Sequence, residues 1–97
     1  MPFEWDEAKN RSNLAKHKIS LETASLVFDD PDALSIQDRV VEGEERWQTL
    51  GMIVGILLIV VHAYRDQDGD EVIRLISARK ATASERRAYA ETQGSSG

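Results

Sequence analysis

Apolar residues change their period near residue 31, and the change splits the chain into a helical part and a strand part. Phe3 and Trp5 alternate in "FEWD", which suits a short strand or an aromatic anchor on the core. Asp6 can cap a helix through about Lys18, and its thin apolar content (Ala8, Leu14, Ala15) places that helix on the surface. Ser20 is a second cap, with Ile19 and Ala24 spaced as a hydrophobic staple. Leu21, Ala24, Val27 and Phe28 keep helical spacing until "DDP", where Pro31 ends the helix. Beyond it the period shortens. "ALSIQD", "RWQTLGMIV", "ILLIVVHAYR" and "VIRLISARK" read as four strands, parted by the polar turn "VEGEE", by Gly55 and by "DQDGDE". In the last of these, Asp68-Gly69 is the pair a type I′ hairpin wants. Thr82 and Glu85 then match a capping box that opens a final helix through about Glu91. The expected fold is α+β: a small antiparallel meander with two N-terminal helices and one C-terminal helix.

A two-residue turn at Asp68-Gly69 fixes which residues share a face, because side chains alternate along each strand. A regular ladder puts His62, Tyr64, Ser77 and Arg79 on one face. It puts Arg65, Arg74 and Lys80 on the other, so Arg74 and Arg79 do not meet. Both faces are apolar in the middle, so both are expected to be at least partly covered.

With 97 residues, one domain over 1–92 is expected, followed by a flexible tail over 93–97. The net charge is −5, from 12 Lys+Arg and 17 Asp+Glu. It is unevenly spread: residues 19–46 are strongly acidic, whereas 72–97 hold Arg74, Arg79, Lys80, Arg86 and Arg87 against Glu85 and Glu91. The overall charge repels nucleic acid, while the basic end attracts it. Absence of cysteine removes disulfides and thiolate metal sites. The most apolar run, "GMIVGILLIVVHAY", falls short of the ~20 residues of a membrane helix, and the N-terminus lacks an apolar signal core. A cytoplasmic protein with no membrane contact is expected. There is no Gly-rich phosphate loop and no Gly-x-Ser-x-Gly, and two distant histidines make a poor zinc site, so neither cofactor nor metal is expected.

Several side chains carry two readings. Arg79 shares its strand with Ile73 and Leu75, and needs a carboxylate, a phosphate or solvent. His62, ending an apolar strand, is either a satisfied structural histidine or a proton carrier. Glu85 has a sufficient role as the capping-box carboxylate. Tyr89 is a core anchor or a group that donates a proton or stacks on a base. Arg86 and Arg87 suit a solvated helix face. Lys16 and His17 end a helix, where cations favour the dipole.

The segments "FEWDEAKNRSNLAKHKISLETASLVFDDP", "EERWQTLGMIVGILLIVVHAY" and "IRLISARKATASERRAYAE" resemble the BrnT family of toxins of bacterial type II toxin–antitoxin pairs. The resemblance runs from Phe3 to about Glu91. It implies a RelE-like fold whose sheet and neighbouring helix bind and cut RNA without a metal. It also implies a BrnA antitoxin with a DNA-binding region, a complex that represses its own operon, and operator DNA reached only through that complex, which can assemble to higher order. In metal-free cleavage the RNA's own 2′-hydroxyl is the nucleophile, so the protein must move protons and stabilise charge on the phosphate. On that basis Arg79 is the expected phosphate clamp, His62 a proton carrier and Tyr89 a donor or stacking group. Arg65, Arg74, Lys80, Arg86, Lys16 and His17 are expected to hold the RNA backbone. The alternative is a catalytically inactive module that binds nucleic acid or protein.

Overall fold

The computed structural model describes residues 2–94. The order is β1 (Phe3–Glu4), α1 (Glu7–His17), α2 (Leu21–Ala24) running into a 3-10 turn (Ser25–Asp29), β2 (Leu34–Val41), β3 (Glu44–Ile53), β4 (Ile56–Gln67), β5 (Asp70–Lys80) and α3 (Ala83–Gly94). The class is α+β, with helices before and after the strands. Of the tail expected at 93–97, residues 95–97 lie outside the described part.

The helix caps have direct chemical causes. Asp6 Oδ1 accepts from the backbone N–H of Ala8 at 2.7 Å and of Lys9 at 3.2 Å, which opens α1. Ser20 Oγ accepts from Thr23 N–H at 3.0 Å, and the staple pair Ile19 and Ala24 are both buried. At α3, Thr82 N–H donates to Glu85 Oε1 (2.8 Å) while Glu85 N–H donates to Thr82 Oγ1 (3.2 Å), a reciprocal capping box.

The sheet has the order β1-β5-β4-β3-β2. It is mixed, which corrects the expectation of a purely antiparallel meander: β1 joins β5 in parallel, with Phe3 beside Ile73 and Glu4 beside Arg74. A two-residue strand carries almost no periodic signal, so its partner and direction depend on contacts remote in sequence. The other three pairings are antiparallel hairpins. Each turns on a residue pair ending in glycine with both φ angles positive: Glu42-Gly43, Val54-Gly55 and Asp68-Gly69.

The β4–β5 ladder starts in the expected register, with Gln67 opposite Asp70 and His62 opposite Leu75. Next, Val61 faces Ser77, leaving Ile76 as an extra residue. This bulge turns the rest of β5 over. Arg79 lies opposite Ile59, and Lys80 opposite Leu58. Ser77 and Arg79 therefore share a face with Arg74, whereas His62, Tyr64 and Lys80 share the other. The regular-ladder assignment is overturned at Ser77, Arg79 and Lys80.

Two cores flank the sheet. α1, α2 and the 3-10 turn cover Leu58, Val60, Ile73, Leu75 and Ala78 with Ile19, Leu21, Ala24 and Val27. Gly51 permits this approach, since a Cβ there would stand 2.7 Å from Val27 Cβ. On the opposite face α3 covers only one end, where Tyr89 packs with Leu50, Leu57, Ile59 and Ala81. Among the described residues, no other helix covers the rest of that face, which is the open face of the sheet.

Candidate functional site

The open face is lined with guanidinium groups, each matched to a carboxylate. Alternation on β3, β4 and β5 places Arg46, Arg65, Arg74 and Arg79 on it, with Glu44 and Ser77. Arg65 Nη1 lies 2.7 Å from Glu4 Oε1. Glu44 serves two arginines, with Arg74 Nη1 at 3.4 Å and Arg46 Nε at 3.7 Å. The latter is an ion-pair separation but too long for a hydrogen bond, and Arg46 Nε is buried without one.

Arg79 is held most firmly. Its Nη1 and Nη2 donate to Glu85 Oε1 and Oε2 at 2.8 and 2.9 Å, and Nη1 also donates to Lys80 O at 3.2 Å. The same Glu85 closes the capping box, so one carboxylate locks the end of β5 to the start of α3. The hydrogen bonds from Arg79 are the main reason Glu85 is lowered to about 2, and they raise Arg79 in return. Three of the five N–H donors of Arg79 are engaged. Its side chain remains 41% exposed, leaving the Nε–H edge for a ligand.

His62 and Tyr89 are placed elsewhere. His62 is 0% exposed on the helix-covered face, edge-on to Phe28 and Tyr64. Its Nε2 shares a 2.7 Å hydrogen bond with Thr49 Oγ1, which contacts Ser35 Oγ at 2.7 Å; Nδ1 has no partner. Burial lowers its pKa to about 4, which keeps it neutral at pH 7 and out of reach of a ligand on the open face. Tyr89 is 3% exposed, and its hydroxyl donates to Asp30 Oδ2 at 2.7 Å. Burial first, then Asp30, raises it to about 12. The carboxylate of Asp30 also accepts from Met52 and Asp32 N–H, so Tyr89 fastens α3 to the chain entering β2.

The bulge thus brings Arg79 to the face of Arg65 and Arg74, parts it from His62 and takes Lys80 off that face. Arg86 is on α3, with Nη1 donating to Ala81 O at 3.2 Å. Lys16 and His17 border a groove between α1 and β5. Sequence reasoning missed Arg46 and Glu44, although the polar alternation Glu44, Arg46, Gln48 on β3 carries the signal. It also missed Asn13, a buried amide that donates to Ile19 O and Ala78 O and accepts from Ala78 N–H.

Among the described residues no helix is long and apolar enough to cross a membrane. No curated protein matches the chain. The family described as "Ribonuclease toxin, BrnT, of type II toxin-antitoxin system" matches residues 5–85. That span includes β1's exit, the buried residues of the helix-covered core, those of the opposite core except Tyr89, and the Arg79–Glu85 lock. The chain belongs to the BrnT family of ribonuclease toxins, whose type II systems pair such a toxin with an antitoxin.

Proposed function

We propose that this chain cuts RNA on the open sheet face without a metal, that the cuts stop translation and growth, and that a BrnA-type antitoxin neutralises it and carries the DNA-binding region of the complex. The observation that carries the proposal is the free edge of Arg79, aimed by Glu85, on one face with Ser77 and Arg74. When a 2′-hydroxyl attacks the adjacent phosphorus, negative charge grows on the phosphate oxygens. A guanidinium already fixed in orientation stabilises that charge without reorganising. Arg65, Arg74 and Arg86 hold backbone around it. With His62 and Tyr89 committed to the core, proton transfer falls to groups on the open face or to water.

The test is incubation of purified protein with a defined RNA, with and without chelator. Arg79→Ala and Glu85→Ala are compared at a temperature where both are folded by circular dichroism. Cleavage that survives chelation, is abolished in Arg79→Ala and is only weakened in Glu85→Ala, which keeps the guanidinium but loses its aim, fits the proposal. Equal loss in both variants reduces Arg79 to a structural latch, and cutting that requires a metal overturns the mechanism.

One observation favours a second reading, a module that binds without cutting. Arg46, Arg65, Arg74 and Arg79 each already face a carboxylate. Such a module binds RNA or its protein partner but leaves RNA intact over hours.

A further inference from the structure

We infer that the groove between α1 and the free edge of β5 is a second phosphodiester site, taking the single-stranded RNA flank that leaves the open face past Ser77. The inference rests on the RNA-binding assignment of the Arg79 face. β1 ends at Glu4, opposite Arg74, so β5 beyond that point has no strand neighbour on its outer edge. α1 takes the place of a strand, tied there by Asn13 to Ala78. The space between them is a groove of about 340 Å³, bordered by Lys9, Ser12, Lys16, His17 and Ser77. Lys9, Ser12 and Lys16 follow helical spacing along one side of α1.

Among the described residues, the charge here differs from that of the sheet face and of the cleft at β1. With 17 Asp+Glu in 97 residues, no carboxylate borders this groove. Lys9, Lys16 and His17 form no ion pair among the described residues, whereas Arg46, Arg65, Arg74 and Arg79 are each paired. The neighbouring cleft at β1 is different: Glu4 and Asp6 sit there with Arg65 and Arg74, so it is self-neutralised. The bulge connects groove and face, with Ile76 and Ser77 both in the groove wall and Ser77 facing Val61 of the open sheet. Ammonium groups on flexible stems hold phosphates as point charges without reading bases, which suits a flanking strand. Hydroxyls of Ser12 and Ser77 add donors for phosphate oxygens. An acidic protein segment fits less well, because Ile76 is the only apolar side chain in the wall to anchor one.

The probe is a 2′-O-methyl oligoribonucleotide of about ten nucleotides, which binds but lacks the attacking hydroxyl. Its affinity is measured by fluorescence anisotropy across a salt series for the wild type, for Lys9→Gln/Lys16→Gln, and for Arg39→Gln/Arg87→Gln, which removes equal charge elsewhere. Loss of two phosphate contacts lowers the slope of log K against log salt by about 1.4 in the lysine variant alone. With cleavable RNA the same variant raises KM and keeps kcat. A wild type that binds the probe and cuts nothing, with the slope still falling in the lysine variant, keeps the groove and removes the ribonuclease assignment. Cutting with KM and slope unchanged in the lysine variant removes the groove and keeps the assignment. The inference is also overturned if the two double variants behave alike, if the wild type does not bind the probe, or if the lysine variant loses only antitoxin binding.

Discussion

Arg79 and Glu85 meet through two parallel hydrogen bonds of 2.8 and 2.9 Å, six residues apart across the junction of β5 and α3. The bond orders a strand end, a helix start and the guanidinium edge together. Glu85→Gln keeps the size and part of the cap but loses the charge. Its expected cost near neutral pH is about 1 kcal/mol, a modest figure because solvent reaches both partners. Glu85 in the fold titrates at about 2, below its ordinary 4.5. Its contribution is therefore complete above about pH 4.5 and drains away as pH falls through 2. Urea midpoints of wild type and Glu85→Gln should differ near pH 7, draw together below about pH 4.5 and converge only near pH 2. A gap that stays constant with pH would assign the effect to shape alone.

His62 gives the opposite end of the acid limb. Its folded value of about 4 lies below the ordinary 6.5 because burial disfavours the imidazolium. The unfolded chain therefore takes up this proton first, and stability falls as pH drops from about 6.5 to 4. The loss amounts to about 2–3 kcal/mol if this residue alone is responsible. His62→Phe removes the titration, and Thr49 retains Ser35 as a partner. The variant should flatten the urea-midpoint profile between about pH 6.5 and 4, and an unchanged slope would place the titration elsewhere.

Much of the scaffold was legible because its signals are local. Asp6, Ser20 and Thr82 with Glu85 act within three residues, and Asp68-Gly69 fixes a hairpin by its own φ angles. The site was harder to read because one unpaired residue decides it. Nothing in "VIRLISARK" marks Ile76 as a bulge, yet every side chain after it changes face. For His62, the choice between a structural histidine and a proton carrier turns on contacts such as that with Phe28, thirty-four residues earlier in sequence. The partner of Tyr89, Asp30, likewise depends on a contact across most of the chain.

Val54 sits at the tip of the β3–β4 hairpin with φ +46 and 96% exposure. A β-branched side chain in the left-handed region is strained, and here no packing offsets the strain. Asparagine tolerates this conformation and suits a type I′ turn before Gly55. Val54→Asn should therefore stabilise the chain by about 1 kcal/mol, raising Tm by about 5 °C for a domain of this size. Differential scanning calorimetry decides the matter, and an unchanged Tm would mean that the turn bears no strain.

Asn13 offers the sharpest test of how α1 is attached. Its amide nitrogen donates to Ile19 O at 2.8 Å and Ala78 O at 3.0 Å, while its oxygen accepts from Ala78 N–H at 3.1 Å. One side chain thus supplies both halves of the ladder that β5 lacks on this edge. Asn13→Asp preserves the shape but replaces a double donor with an oxygen facing two carbonyls. The carboxylate would be buried and repelled, so its pKa in the fold rises well above the ordinary value near 3.9. A group raised in this way costs least when protonated, and the penalty grows as pH climbs through the unfolded and then the folded value. Near neutral pH the expected loss is about 3 kcal/mol or more, shrinking as pH falls toward about 4. Asn13→Leu, which cannot ionise, should show a loss with no such dependence. Urea midpoints at the two pH values separate the cases, and parallel behaviour of the two variants would show that the amide donors do not carry the attachment.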